Sequence, residues 1–417
     1  VMGSKNLKAI AAKGTGPMPK VAKQDQMPRL MKETEKLSYS MRRIRRWGTG
    51  YAGYEVGANT SSEPVRNWQE EWHDEKTMGG PNFDLRLWVK RYWADYGCAL
   101  ACMKLAVAKT GPYKGAISDN PDYEMEAYLG PNVGVFNPAG VLYLSSLIEE
   151  LGYSGINGGN TIAFAMELFQ RGILTKEDLG GLEPKWGDVK SIEELARGIA
   201  DRRGRFFDIL AEGTYRAAQK ISEIKGVDVS PYAVTVKGVE VGAHGTRSNL
   251  DYTKDICYAC SVQGGDHTST IFDGYNDLET VFADSAVYCN VIGWGGGLGD
   301  LQWRFFRAVT GWNTTEKMWK TTLGPRIAHI QRAAELIGGP DVKWHPAKDD
   351  DNPKRFYDPL PSGPYKGKTT DRAFVNQRRP EYYKTIGWDE NGIPKSSVLK
   401  KLGLEDVDKA LEKVRGK

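Results

Sequence analysis

The residues best suited to chemistry in this sequence are its thiols, because there are only five and they fall in an uneven pattern. Cys98 and Cys102 form a C-x3-C pair in Asp95-Tyr96-Gly97-Cys98-Ala99-Leu100-Ala101-Cys102. Cys257 and Cys260 form a C-x2-C pair, and Cys289 stands alone after Asp284-Ser285-Ala286-Val287-Tyr288. Thiols this sparse in a reducing compartment serve as metal ligands or buried apolar groups rather than as disulfides. A cubane iron–sulfur cluster takes four protein ligands, three from a tight run and often one from a distant segment. Two small residues on one helical face give the same C-x3-C spacing, so from spacing alone a core role for Cys98 and Cys102 stands level with ligation.

Such ligands need a large folded body to position them. At 417 residues the chain exceeds what one hydrophobic core serves, which predicts two domains of about 200 residues each. Apolar residues make up 40% and charged residues 26%, the proportions of a folded globular protein. A net charge of +4 from 57 basic and 53 acidic residues, with no clustered basic stripe, sets nucleic-acid binding aside. No apolar run approaches the roughly 20 residues that span a bilayer, and Val1 to Ile10 lacks the apolar region of a secretory signal. A cytoplasmic protein is the expectation. Leu7 to Ala12 reads as a lone short strand without a partner, so upstream sequence or another subunit is expected to complete it.

The spacing of Leu30, Leu37, Met41 and Ile44 predicts an amphipathic helix over 30–47. The Gly, Asn, Ser and Pro content of 51–82 predicts a long surface loop, and 85–93 resumes a helical pattern. Asn137-Pro138 starts a helix that ends at Gly152, Asn160 caps another, and Ser191-x2-Glu194 reads as a capping box. One further helix is expected over 206–224. Alternating Val234, Val236, Val239 and Val241 give the best strand. Gly264-Gly265-Asp266-His267 and Gly293 to Gly299 permit close approach of a ligand to the backbone. Pro325 should kink or break a helix over 318–337. The stretch 338–395 reads as irregular chain wrapped over the surface, and 396–414 as short helices. The fold expected is mainly α, without a fixed-period repeat.

Several of these stretches together resemble the tungsten-pterin aldehyde:ferredoxin oxidoreductases. They are Tyr123-Glu124 with Leu129-Gly130-Pro131-Asn132, Gly159 to Leu168, Ile209-Leu210-Ala211-Glu212-Gly213, and Gly387-Trp388-Asp389-Glu390-Asn391-Gly392-Ile393-Pro394. Val1 to Ile10 looks like the end of that family's first, pterin-binding domain. The resemblance covers essentially the whole chain. It implies the tail of a β-containing pterin domain over 1–20, a multihelical domain over 21–228, and another over 229–417.

The resemblance also implies a site. The family's C-x2-C-x3-C run and distant D-x-x-G-L-C cysteine place [4Fe-4S] ligands on Asp95, Cys98, Cys102 and Cys289, with a carboxylate where the first thiolate is usual. Pterin contacts fall on Glu149 and Asp284, whose carboxylates can accept from an amino-pyrimidine edge, and on Asn160. For Glu149 a solvated helix end is the stronger reading. The family's iron-bridging E-x-x-H has no counterpart at Tyr143 to Ser146, and Glu70-Glu71-Trp72-His73 has that spacing by chance. Glu124 and His267 match the family's catalytic pair. They would move protons beside the metal, provided burial raises the glutamate toward neutrality. His73, His244, His329 and His345 read as surface or satisfied residues, and Cys257 and Cys260 as buried thiols near the site.

The function implied is a tungsten-bispterin oxidoreductase, tungsten rather than molybdenum by resemblance alone, with Mg as an optional ion. It would oxidise an aldehyde with water to the carboxylic acid and pass two electrons through the cluster to a ferredoxin or an iron–sulfur subunit, as an oligomer. The rival within the family is an aryl-CoA ring reductase of the class II benzoyl-CoA type. The rival outside it is a structural subunit that keeps the fold without a cofactor.

Overall fold

The computed structural model describes all residues except 1, 3–4, 83–86, 120–121, 252, 269–274, 294–297, 340–341 and 417. The predicted N-terminal amphipathic helix forms as two, α1 (Met27–Ser40) and α2 (Arg42–Trp47), separated at Met41, whose ψ of 58° leaves the helical region. Ahead of them, 7–12 is exposed irregular chain rather than the expected strand, and no strand among the described residues pairs with it.

The stretch 87–93 is a strand, not the continuation of a helix. Its Val89, Tyr92 and Trp93 suit a pleated surface better than a helix. Strands β1 (Leu87–Trp93), β2 (Met103–Ala108) and β3 (Ile117–Asp119) form one antiparallel sheet in that order, with an irregularity between Val89 and Arg91. The cysteine run 95–102 is therefore the β1–β2 connection, not a helical face. The chain from 51 to 82, expected on the surface, is irregular but buried. Trp68, Glu63 and Glu71 are wholly enclosed.

Helices α3 (Tyr123–Leu129), α4 (Pro138–Leu151), α5 (Gly155–Gln170), α6 (Val189–Ala200), α7 (Arg205–Leu210) and α8 (Thr214–Lys225) surround the largest core. Asn137 caps α4 by accepting from the Ala139 amide, and Gly152 closes it in the left-handed region at φ 78°, as the Asn-Pro and Gly signals require. Two predicted caps are displaced. Ser154, not Asn160, caps α5, and Asp188, not Ser191, caps α6 by accepting from the Ser191 amide. The helix expected over 206–224 breaks at Gly213, whose φ is 85°.

The valine alternation folds as a short hairpin, β4 (Thr235–Val236) and β5 (Val239–Glu240), around Lys237 and Gly238 at φ 48° and 75°, the left-handed pair of a type I′ turn. Beyond it lie α9 (Cys257–Cys260), α10 (Tyr275–Ala286), α11 (Leu301–Thr310) and α12 (Gly324–Ile337). A π-turn, Trp319–Leu323, precedes Pro325 and interrupts the helical run there. The stretch 338–395 is not simply surface wrapping. It contains α13 (Arg372–Ile386), capped by Asp371 and carrying Pro380 inside it. It also buries Phe356 and Trp388. Asp350 holds it down through Arg332 at 2.9 Å and Lys237 at 3.2 Å. Helices α14 (Ser396–Lys401) and α15 (Glu405–Ala410) close the chain as expected. The fold is mainly α, and among the described residues no helix is long and apolar enough to cross a membrane.

Helices α3 and α5 touch through Gly159, where a Cβ would lie 2.8 Å from the Tyr128 Cβ and 2.9 Å from its carbonyl oxygen. Gly159→Ala should therefore cost about 1–3 kcal/mol by overpacking, read as a lowered midpoint of chemical denaturation. An unchanged midpoint would mean that the two helices do not meet this closely.

Candidate active site and thiol cluster

Glu124 lies in the first turn of α3, which starts because Asp122 accepts from the Met125 amide. The chain after β5 donates from the Gly242 amide to the Gly265 carbonyl at 3.0 Å and from the Gly245 amide to that of Ser62 at 2.7 Å, and side chains fix its carbonyls. Tyr123 donates to the Ala243 carbonyl at 2.5 Å, Tyr128 donates to that of Val241, and the Tyr258 hydroxyl sits 2.8 Å from both the Gly242 and His244 carbonyls. This strip turns the Ala243 amide onto Glu124 Oε2 at 2.8 Å and carries His244 into the site. His267 arrives on the Gly264-Gly265 approach. A Cβ on Gly265 would run into the Glu240 backbone, and one on Gly242 would overlap the His267 ring.

Glu124 Oε1 is then 3.5 Å from His267 Nδ1 and 3.7 Å from His244 Nε2. The two imidazole centroids are 4.6 Å apart, and the facing atoms of all three residues lie within 4.8 Å of one another. The Asp251 carboxylate lies 2.7 Å from His244 Nδ1. With Nδ1–H donated to Asp251, the Nε2 edge of His244 faces Glu124. Tyr123 packs on the same ring at 4.7 Å between centroids.

Burial raises the Glu124 carboxyl to about 7, against the lowering pull of His244 and of the Ala243 amide. Burial first, and then the neighbouring His244, hold His267 well below the usual imidazole range, so its ring is neutral at pH 7. A half-ionised carboxyl between two imidazoles can hold a proton or release one at little cost.

The structure thus brings together Glu124 and His267 as the sequence suggested. It adds His244, which had been read as an ordinary surface or satisfied residue, together with Asp251 and Tyr258. The Gly-x-His-Gly run at 242–245 resembles the Gly-Asp-His run at 265–267 and was the available signal. His329 and His345 fit the earlier reading, the first buried with Nδ1–H donated to the Pro325 carbonyl and the second exposed. Cys257 and Cys260 are buried in α9 on either side of Tyr258, close to the site as expected.

The other implied residues lie elsewhere. Glu149 is exposed at the end of α4, where Ser118 donates to it at 2.9 Å. Asp284 is exposed on α10, 3.4 Å from the Gln263 amide nitrogen. Asn160 is fully buried in mid-helix and donates to the Val234 carbonyl at 3.2 Å, pinning the hairpin. Of the glycine run 293–299, residues 294–297 lie outside the described residues.

Cys98 and Cys102 share one place, and Cys289, exposed, lies near enough for its charge to act on Cys102. Cys98 and Cys102 pack beside Met41, Ile44 and Leu100. Burial, then the charge of Cys289, raises the Cys102 thiol. The loop is tied by cations, with Arg45 donating to the Ala99 carbonyl at 2.5 Å and Lys104 to that of Ala101 at 2.5 Å. Burial lowers the Lys104 ammonium to about 8. Asp95 is exposed one turn earlier, its carbonyl accepting the Cys98 amide at 3.0 Å.

Glu124 gains a proton on folding between its unfolded value of 4.5 and its folded value of about 7. Its contribution to stability is therefore greatest below pH 4.5 and is lost as pH rises through about 7. Glu124→Gln should flatten the fall in denaturation free energy between pH 5 and 8 relative to the wild type. Parallel curves for the two proteins would show that Glu124 is not shifted.

The aldehyde ferredoxin oxidoreductase model for domains 2 and 3 matches residues 27–404. An aliphatic sulfonate oxidoreductase, WOR-like subunit, from Pyrococcus furiosus is 54% identical over all of this chain, which spans 66% of that relative's length. A tungsten-containing aldehyde ferredoxin oxidoreductase from the same organism is 31% identical over 97% of this chain and 68% of its own. The active site complex BamBC of benzoyl coenzyme A reductase with 1,5 dienoyl-CoA shares the fold, with a TM-score of 0.69 at 20% identity, covering 100% of this chain and 70% of that one. Fold, motif order and these matches agree that the chain belongs to the aldehyde ferredoxin oxidoreductase family, of which it carries domains 2 and 3.

Proposed function

We propose that this chain supplies the proton-handling site and the cluster loop of a tungsten-bispterin oxidoreductase. The observation that carries the reading is Glu124 Oε1, a buried oxygen without a hydrogen-bond partner among the described residues, aimed between two imidazoles. When bound, the tungsten-pterin group would take two electrons from the substrate. For an aldehyde the balance is R–CHO + H2O → R–COOH + 2 H+ + 2 e−. The protein must then receive two protons. Ionised Glu124 takes one, and His267 beside it relays the other without keeping it, since burial disfavours its charged form. Asp251 orients the His244 ring through Nδ1, so that Nε2 faces Glu124 and the proton can leave along that side. The three tyrosine hydroxyls keep the 241–244 backbone in place and, being buried, help to exclude bulk water.

Cys98, Cys102 and Cys289, with Asp95 as the fourth ligand, would hold a [4Fe-4S] cluster. The neighbouring Cys98 and Cys102, with the charge of Cys289 acting on Cys102, support this, and Lys104 and Arg45 offset the negative charge such a group brings. Electrons would pass from there to a ferredoxin or an iron–sulfur subunit. The 54% identity to an aliphatic sulfonate oxidoreductase subunit makes a short alkanesulfonate the first substrate to try, ahead of simple aldehydes and of an aryl-CoA thioester.

Glu124→Gln and His267→Asn should each lower turnover by about 10²-fold or more, the usual scale for losing a general acid or base. Tungsten and iron content should stay at wild-type levels by elemental analysis. Wild-type turnover in either variant would remove that residue from the proton path, and loss of tungsten would reassign it to cofactor binding. Cys289→Ser should lose iron, and retained iron would exclude Cys289 as a ligand.

A further inference from the structure

The enclosed segment 51–82 and helix α3 bury three ionisable groups that the proposed reaction leaves unused. Glu63 and Glu126 are each 0% exposed and His73 is 5% exposed. His73 Nε2 contacts Glu63 Oε2, and the Glu75 amide donates to His73 Nδ1 at 3.3 Å. A neutral imidazole carries one ring proton. With Nδ1 accepting, that proton sits on Nε2 and is donated to Glu63.

The remaining oxygens, Glu63 Oε1 and both of Glu126, have no hydrogen-bond partner among the described residues. The glycines at 53 and 57 lie so close that a Cβ on either would strike Glu126, or His73 and Glu63. Charges acting on the three groups come from one another and from Glu124, Asp74 and Glu75, with no lysine or arginine among them. Two buried carboxylates in contact cannot both ionise in such surroundings. A proton between them turns the orphaned oxygens into a donor and its acceptor.

We propose that Glu63, His73 and Glu126 form a buried proton store coupled through charge to Glu124, with the Glu126 carboxylic acid donating to Glu63. The coupling rests on the reading of Glu124 as the proton carrier. Glu126 is two residues from Glu124 on α3, and the Glu124 charge acts on Glu63 and on Tyr123 between them. Burial holds Glu126 far above the carboxylate range and Glu63 at about 8, with the Glu124 charge adding to the latter. While the store keeps its protons, Glu124 can ionise near neutrality without a second negative charge beside it. Once Glu63 loses its proton, the new charge favours retention on Glu124. His73, with Asp74 and Glu75 at its outer side, is the end through which the store refills. Facing groups on the Glu124 side are His244, His267, Asp122 and Asp266.

Infrared titration of the intact protein, with difference spectra against single variants, tests this without relying on turnover. The wild type should show two coupled carboxyl ionisations, near pH 7 and near pH 8, and a protonated carboxylic acid band that survives above both and shifts in D2O. Glu124→Gln should keep the upper step alone, moved to more acidic pH because the Glu124 charge that raises Glu63 is gone, and Glu63→Gln should keep the lower one in place. Glu126→Gln, which still offers a donor to Glu63, should lose the surviving acid band and keep both steps. Absence of that band in the wild type overturns the store, a result that needs no variant to fold. An upper step unmoved in Glu124→Gln overturns the coupling of Glu63 to Glu124. Wild-type turnover in Glu124→Gln with the titrations as described would instead overturn the proposed reaction role and leave the store standing.

Discussion

The four backbone carbonyls from Val241 to His244 are the constraint on which the site depends. None belongs to a sheet ladder, and all four fall within reach of just three buried tyrosine hydroxyls, from Tyr123, Tyr128 and Tyr258. A buried carbonyl left without a donor costs about 1–3 kcal/mol, so the strip has little freedom to shift. Two of the tyrosines stand on α3, the helix that carries Glu124. The same contacts that satisfy the strip therefore fix the distance between Glu124 and His244. The geometry also explains Gly242: the Tyr258 contact pulls the backbone against the His267 ring, where no Cβ fits.

Behind the strip, the irregular segment 51–82 is held as firmly as a helix would be, by ion pairs to distant parts of the chain. Arg247 donates to Glu71 at 2.8 Å and to the Trp68 carbonyl at 2.8 Å. Arg355 donates to Glu167 at 2.8 Å and to the Asn67 carbonyl at 2.9 Å. Arg66, Asn67 and Trp68 all sit at left-handed φ, from 49° to 61°, a conformation that three successive non-glycine residues hold only when their surroundings dictate it. The π-turn Glu55–Thr60 adds another irregularity of the kind found beside functional sites. Paired arginines on the Arg247 and Arg355 side contrast with Glu63 and Glu126, whose neighbours are His73 and each other rather than an arginine, and that contrast divides the segment into a clamp and a proton-holding part.

The helices were legible wherever local chemistry determines them. Asn137-Pro138 and Gly152 delimit α4 because the capping groups are in the sequence itself. Where the determining partner is remote, the sequence misled. Composition made 51–82 look like a surface loop, since nothing local reveals that Glu71 will meet Arg247 or that Asn67 will meet Glu167. The pattern over 85–93 looked helical because one turn of helix and one face of a twisted strand space their aromatic residues alike. At the site, motifs pointed to Glu124 and His267, while His244 stayed hidden because its role comes from the Asp251 contact and the tyrosine-pinned strip. The three thiols were legible as a set only through the distant Cys289.

Glu124 and Glu126 show how far environment alone can separate two identical side chains on one short helix. Both are desolvated, and desolvation alone would drive both to remain protonated. Glu124 faces the strip, where the Ala243 amide and the His244 ring stabilise its charged form and bring it back to about 7. Glu126 faces Glu63, whose own negative charge opposes ionisation, and only His73 pulls the other way. One carboxyl is thus poised to exchange a proton at neutral pH while the other is held as a neutral acid, the division of roles expected when neighbouring groups are pushed apart in proton affinity. The difference does not arise from the residues themselves. It follows from which side of α3 meets backbone amides fixed by tyrosines and which side meets a second acid, so the tyrosine-pinned strip sets the chemistry of Glu124 as well as its position.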